Sequence, residues 1–179
     1  MKHFFFFASL ILVSHLAHAQ DLAGRKIVNG NLNAQVISGS NNDFTSISSS
    51  LLFGKIKSDN TYWAFGGKFA LYPTNTFNNS VSIGPSVERG KFIPLVDDLY
   101  LAPYIGGSVS AIFGNTDGAN INLYATPIRF MYHFKENLML TAGFGFGNID
   151  YTINNSVSTL SINASLNNNS GFGIFYTFK

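Results

Sequence analysis

The segment "KIVNGNLNAQV" (26–36) puts Val28, Gly30, Leu32, Ala34 and Val36 on one parity and Asn29, Asn31, Asn33 and Gln35 on the other. Alternation with period two is the mark of a strand whose two faces meet different surroundings. It recurs along the chain. In "TYWAFGGKFALY", Trp63, Phe65, Phe69 and Leu71 oppose Tyr62, Ala64, Gly66, Lys68 and Ala70. In "LYLAPYIGGSVSAIF", Leu99, Leu101, Ile105, Val109, Ala111 and Phe113 oppose Tyr100, Tyr104, Gly106, Ser108 and Ser110. In "LMLTAGFGFG", Leu138, Leu140, Ala142, Phe144 and Phe146 oppose Met139, Thr141, Gly143, Gly145 and Gly147. No helical period is sustained beyond residue 19. The pattern therefore predicts an all-β chain of eight strands at 26–38, 44–56, 61–73, 80–95, 99–113, 121–134, 138–151 and 160–178.

The connections fall into two kinds. Strands two, four and six are followed by brief polar turns, "KSDN", "VDD" and "KEN", whereas strands one, three, five and seven lead into longer Asn-, Ser-, Gly- and Thr-rich links such as "PTNTFNN" and "GNTDGAN". Short turns at one end and long polar loops at the other are the layout of an antiparallel up-and-down transmembrane β-barrel, the short turns being periplasmic and the long loops extracellular. The amino terminus agrees with export. Lys2, the apolar run Phe4–Val13 and "AHA" at 17–19 have the order of a secretory signal peptide cleaved after Ala19, and the run is shorter than the ~20 residues a spanning helix needs. Residues 1–19 are thus set aside as leader and 20–179 are read as one barrel domain.

Composition strengthens this reading. Charged residues make up 11% of the chain and aromatics 15%, against about 25% charged in a soluble domain. A water-facing β-sandwich would alternate as well, but its outer face needs Lys, Glu and Asp to stay soluble and to keep its edges unpaired. Here the face opposite the bulky apolar one is Asn, Ser, Gly and Tyr, which suits a wet lumen, and the apolar face is read as touching lipid. The net charge of +2 with scattered cations gives no nucleic-acid footprint. Cys is absent, so neither a disulfide framework nor a thiolate metal site arises, and no cofactor motif is indicated.

Parity assigns Lys68, Glu88 and Arg129 to the lumen as a structural charge network, with Tyr62, Tyr100 and Tyr104 in the same plug; a network that fixes barrel shape is preferred to a transport site. Trp63, Tyr100, Tyr132 and Tyr176 lie near the short-turn ends of their strands and are read as interfacial aromatics. In "SVERGKFIPL", strict alternation sends Arg89 and Lys91 toward lipid, so a bulge near Pro85 or Gly90, or a periplasmic position for Lys91, is expected. Pro127 is a second candidate for a register shift.

The chain ends "GFGIFYTFK", with Phe172, Ile174, Tyr176 and Phe178 on one parity. This resembles the carboxy-terminal assembly signal of outer-membrane proteins, with Lys179 as a departure. With that ending, the chain resembles the small eight-stranded outer-membrane barrels, the OmpA transmembrane domain and OmpX-like family. The resemblance implies residence in the outer membrane, with lipid and the assembly machinery as partners, and implies no activity. Eight strands leave a lumen filled by side chains or wide enough for one small ligand, too narrow for a diffusion porin. The expected function is non-enzymatic: a structural or surface-interaction role carried by loops such as "NNSVSTLSINASLNNNS". A carrier of a small apolar ligand, held at the mouth by Phe44, Phe77 and Phe113, is the alternative. A lipid-modifying enzyme is disfavoured because the only histidine after residue 19, His133, belongs to the short-turn end and strand six offers no nearby serine.

Overall fold

A backbone whose bulky and small residues alternate can satisfy its hydrogen bonds and separate the two sets only as a pleated strand, and the chain does so throughout. The computed structural model describes residues 22–37, 44–74, 80–114, 117–154, 158–164 and 171–179. The leader expected at 1–19 lies outside them, as do Phe77 and much of the Asn-rich stretch 154–170. Thirteen strands follow in order: β1 Lys26–Ile37, β2 Phe44–Ile56, β3 Thr61–Thr74, β4 Ser80–Lys91, β5 Ile93–Val96, β6 Leu99–Leu101, β7 Tyr104–Phe113, β8 Gly118–Thr126, β9 Ile128–Lys135, β10 Leu138–Phe144, β11 Gly147–Asn154, β12 Ser158–Ala164 and β13 Gly171–Phe178. There is no helix among the described residues. The strands form one curled antiparallel sheet in the order β12-β11-β8-β7-β4-β3-β2-β1-β13-β10-β9-β6-β5.

Thirteen strands stand where eight segments were expected because five of the segments are each described as two strands, divided at Phe92, at Ala102–Pro103, at Pro127, at Gly145–Phe146 and between β12 and β13. Each piece nevertheless pairs within the same neighbouring segment as its continuation. β4 pairs with β7 and β5 with β6; β7 with β8 and β6 with β9; β8 with β11 and β9 with β10; β11 with β12 and β10 with β13. β1 pairs with β2 on one side and β13 on the other.

The interruption at Pro127 changes which way side chains face. Tyr104 pairs with Thr126, whereas Ala102 N–H donates to the Arg129 carbonyl at 2.7 Å. Pro127 and Ile128 together therefore oppose Pro103, a bulge of one extra residue. Proline is suited to this position because it has no N–H to offer the ladder. Before the bulge the even residues Asn122 and Thr126 are buried; after it the odd residues Arg129, Met131 and His133 are. The adjoining strands swap sides at the same level: Met139 and Thr141 are buried before Gly145–Phe146, and Ile149, Tyr151 and Ile153 are exposed after it.

The bulge expected near Pro85 or Gly90 is absent. β3 and β4 keep one register from Thr61↔Lys91 to Tyr72↔Ser80, and alternation continues to a buried Phe92. Arg89 accordingly faces outward, its guanidinium carbon 5.3 Å from the centre of the Trp63 ring.

The distribution of residues is inverted relative to a water-soluble domain. Large apolar side chains cover the outside, among them Phe65 at 58% exposure and Ile105 at 60%, while Asn29, Ser86, Glu88, Ser108, Asn122 and Arg129 are buried. The buried apolar cluster of the interior lies toward the short turns, where Ile27, Ile56, Tyr62, Phe92, Met131 and Phe175 form a plug. Its rings meet edge-on or tilted, Tyr62 to Phe92 at 5.3 Å and Phe92 to Phe175 at 5.6 Å. Asn60 and Asp98 take φ of 60° and 63° in the short turns, a conformation those two residue types tolerate better than most.

Candidate lumen site

Glu88 and Arg129 meet on the roof of the plug. The Arg129 Nη1 donates to Glu88 Oε1 at 2.9 Å, with both side chains almost fully buried. Tyr62 bridges them, its hydroxyl donating to Glu88 Oε1 while Arg129 Nη2 donates to the hydroxyl oxygen. Asn29 Nδ2 donates to the other carboxylate oxygen at 3.2 Å. The amide face of the first strand thus satisfies a buried charge. Arg129 Nε donates to the Ala102 carbonyl at 3.1 Å, so the same residue that the bulge turns inward fastens the break in the neighbouring segment. The Tyr104 ring lies 3.9 Å from the guanidinium carbon. Room for Tyr62 comes from Gly90 directly across the ladder, where a Cβ would come within 2.6 Å of the ring.

Lys68 stands apart from this cluster. It lines a cavity of about 100 Å³ together with Asn31, Ser48, Ser50, Tyr124 and Thr141, and among the described residues it has no ion pair within 4.0 Å. Asp150, also on the inner face, accepts from Asn122 Nδ2 at 2.6 Å and from Asn148 Nδ2. The expected three-residue network is therefore a tight Glu88–Arg129 pair plus a separate Lys68. Asp150 was hidden in the sequence because alternation continued from Leu138 assigns it to the apolar side; the swap at Gly145–Phe146 brings it inside.

Of the four aromatics read as interfacial, Trp63, Tyr132 and Tyr176 face outward and are exposed. Tyr100 does not join them. It is 2% exposed and sits in the plug, its ring 6.0 Å from Phe92 and 5.9 Å from His133. Depth near a turn suggested the interface, but Tyr100 has the parity of Tyr104 and Ser108, and parity decides the face. His133 is buried against it, Nδ1 3.9 Å from Asp98 Oδ1. Ile174 and Tyr176 face outward on the last strand, and Lys26 Nζ lies 6.0 Å from the centre of the Phe178 ring; the side chain of Phe172 is outside the described residues, as is that of Phe44. Phe113 is exposed on the outer face.

The cluster is suited to holding shape: its charges are mutually neutralised, hydrogen-bonded and almost fully buried. The cavity above it has room for a few water molecules. Neither a scan of protein-family models nor a search of the curated proteins finds a match to the chain.

Proposed function

We propose that this chain is a non-enzymatic, integral outer-membrane β-barrel of eight staves, with a structural or surface-interaction role exercised through its long loops. The observation that carries the proposal is the inversion of polarity: bulky apolar residues outside, ion pair and amides inside. In water such an outer face would be an aggregation surface far beyond the few hundred Å² that monomers expose, whereas hydrocarbon solvates it.

Support for eight staves comes from the pairing partners. If interrupted pieces are joined across Phe92, Ala102–Pro103, Pro127, Gly145–Phe146 and 165–170, every stave has two neighbours, and the pairing of β1 with β13 closes the ring. Closure removes the free edges that lipid cannot satisfy. The plug at the short-turn end argues against a through-channel, and His133, the base a lipid-modifying barrel would use, is packed beneath Tyr100. Lipid and the assembly machinery are the partners this reading requires.

The test is electrophoretic migration of the membrane fraction with and without boiling. A folded barrel runs as a faster, heat-modifiable species. A processed chain that purifies as a monodisperse monomer in buffer free of amphiphile overturns the proposal. Replacing the links 38–43 and 75–79 by short turns, which leaves every described strand in place, should leave heat-modifiability intact and reduce adhesion to host surfaces, and unchanged adhesion would leave the structural role alone.

A further inference from the structure

The cations of the chain are sorted by position. Apart from Lys2 and the lumen residues Lys68 and Arg129, every Lys and Arg lies in a short turn, at a terminus beside the short turns, or on the short-turn half of a strand. The segments 38–43, 75–79, 114–117 and 155–157, which link the strands at their other ends, contain none. Three of the cations stand on the outer face in one cross-strand row with Trp63. Lys26 pairs with Lys55, Lys55 with Trp63, and Trp63 with Arg89, and all four are exposed.

Arg89 ends this row where the wall is hollowed. Next along the row come Ile105 and Ala125, and here a groove of about 570 Å³ runs over the outer face, lined by Trp63, Arg89, Ile105, Leu123, Phe146 and Ile149. The small residues Gly107, Ala125 and Gly147 form its floor. Its walls are apolar and its only cation is Arg89, which among the described residues has no ion pair. A guanidinium backed by an indole ring is complementary to a phosphate; Lys55 stands on the far side of that indole and Lys26 one strand further along the row, and basic clusters beside a bilayer select anionic lipids.

We propose that the groove and the row bind one anionic phospholipid of the leaflet at the short-turn end, its phosphate on Arg89, the rest of its headgroup reaching past Trp63 toward Lys55, and an acyl chain along the groove. The inference rests on the membrane-barrel reading above. An acyl chain alone, or a second copy of this chain, would need no cation at the end of the groove.

The processed full-length chain is refolded into vesicles of phosphatidylcholine alone and into vesicles of equal phosphatidylcholine and phosphatidylglycerol. It is then extracted in mild detergent and its retained lipid identified by native mass spectrometry. The protein is expected to be heat-modifiable from both vesicles and to retain phosphatidylglycerol over phosphatidylcholine. Arg89→Gln should weaken that preference about fivefold, and Lys55→Gln added to it about fivefold more, with heat-modifiability unchanged. Failure to become heat-modifiable in either vesicle overturns the membrane reading itself. Heat-modifiable protein without a phosphatidylglycerol preference, with a preference that both substitutions leave intact, or extracted as a two-chain species that excludes lipid, overturns the lipid site alone.

Discussion

At the scale of single residues, the buried Glu88–Arg129 pair is where energy is most concentrated. Removing one partner of a buried ion pair strands the other charge and costs about 3–5 kcal/mol, whereas replacing both by apolar groups is often neutral. Arg129→Met is therefore expected to lower stability by that amount in urea titrations of the detergent-folded protein. Arg129→Met combined with Glu88→Leu should recover most of the loss, less what Asn29 and Tyr62 forfeit as hydrogen-bonding partners. A double variant as unstable as the single one would mean that packing, not charge, is the cause. Glu88 was legible in the sequence because its strand alternates without fault from Ser80 to Phe92. Tyr100 was legible by parity and misread by depth. Asp150 was not legible, because the side on which it lies depends on a swap at Gly145–Phe146 that involves no residue as conspicuous as Pro127.

At the scale of elements, the bulge at Pro127 carries the whole inward face of β9. The proline was visible in sequence as a possible irregularity, but its effect depends on the neighbouring segment, where Pro103 stands opposite two residues. Residue count, not proline chemistry, is what turns Arg129 inward. Deleting Pro127 should send Arg129, Met131 and His133 outward and abolish the heat-modifiable species, because a slip of one residue exchanges the two faces. Pro127→Ala keeps the count and should fold with a loss of no more than about 1 kcal/mol; an equal failure of both variants would refute the count argument. The short turn at 57–60 makes a smaller, pH-dependent contribution. The Thr61 hydroxyl donates to Asp59 Oδ1 at 2.6 Å and the Thr61 N–H at 3.0 Å, and these bonds, the hydroxyl first, hold the Asp59 carboxyl below its ordinary value of 3.8. A depressed pKa means stability that is present above the unfolded-state value and lost as pH falls through the folded one. Asp59→Ala should thus lower the unfolding midpoint at neutral pH, and its difference from the parent chain should close as the pH drops below 3.8. A difference that persists in acid would mean that the turn geometry rather than the carboxylate is responsible.

At the scale of the whole molecule, the alternation that was plain in the sequence defines two faces but does not by itself say which of them is solvated by what. The curled sheet resolves the geometric half of that question, since Leu51, Phe65, Ile83 and Val109 are all on the outside. The sign of a charge substitution addresses the other half. On a water-facing surface, Leu51→Arg or Val109→Arg changes stability by no more than about 0.5 kcal/mol, and relieving an apolar patch aids solubility. On a lipid-facing surface the same substitution near mid-bilayer costs about 2–4 kcal/mol, with a smaller penalty toward the interfaces. Each variant, measured by urea unfolding from phosphatidylcholine vesicles, should therefore lose stability, and Leu51 should be more sensitive than Trp63, which lies nearer the short turn and has Arg89 and Lys55 as cross-strand partners already. Neutral or stabilising outcomes at both Leu51 and Val109 would say that water touches this face, and would leave an inverted sheet with no solvent to account for it. A penalty that falls from mid-strand toward the turns would instead trace the hydrocarbon layer along the wall, residue by residue.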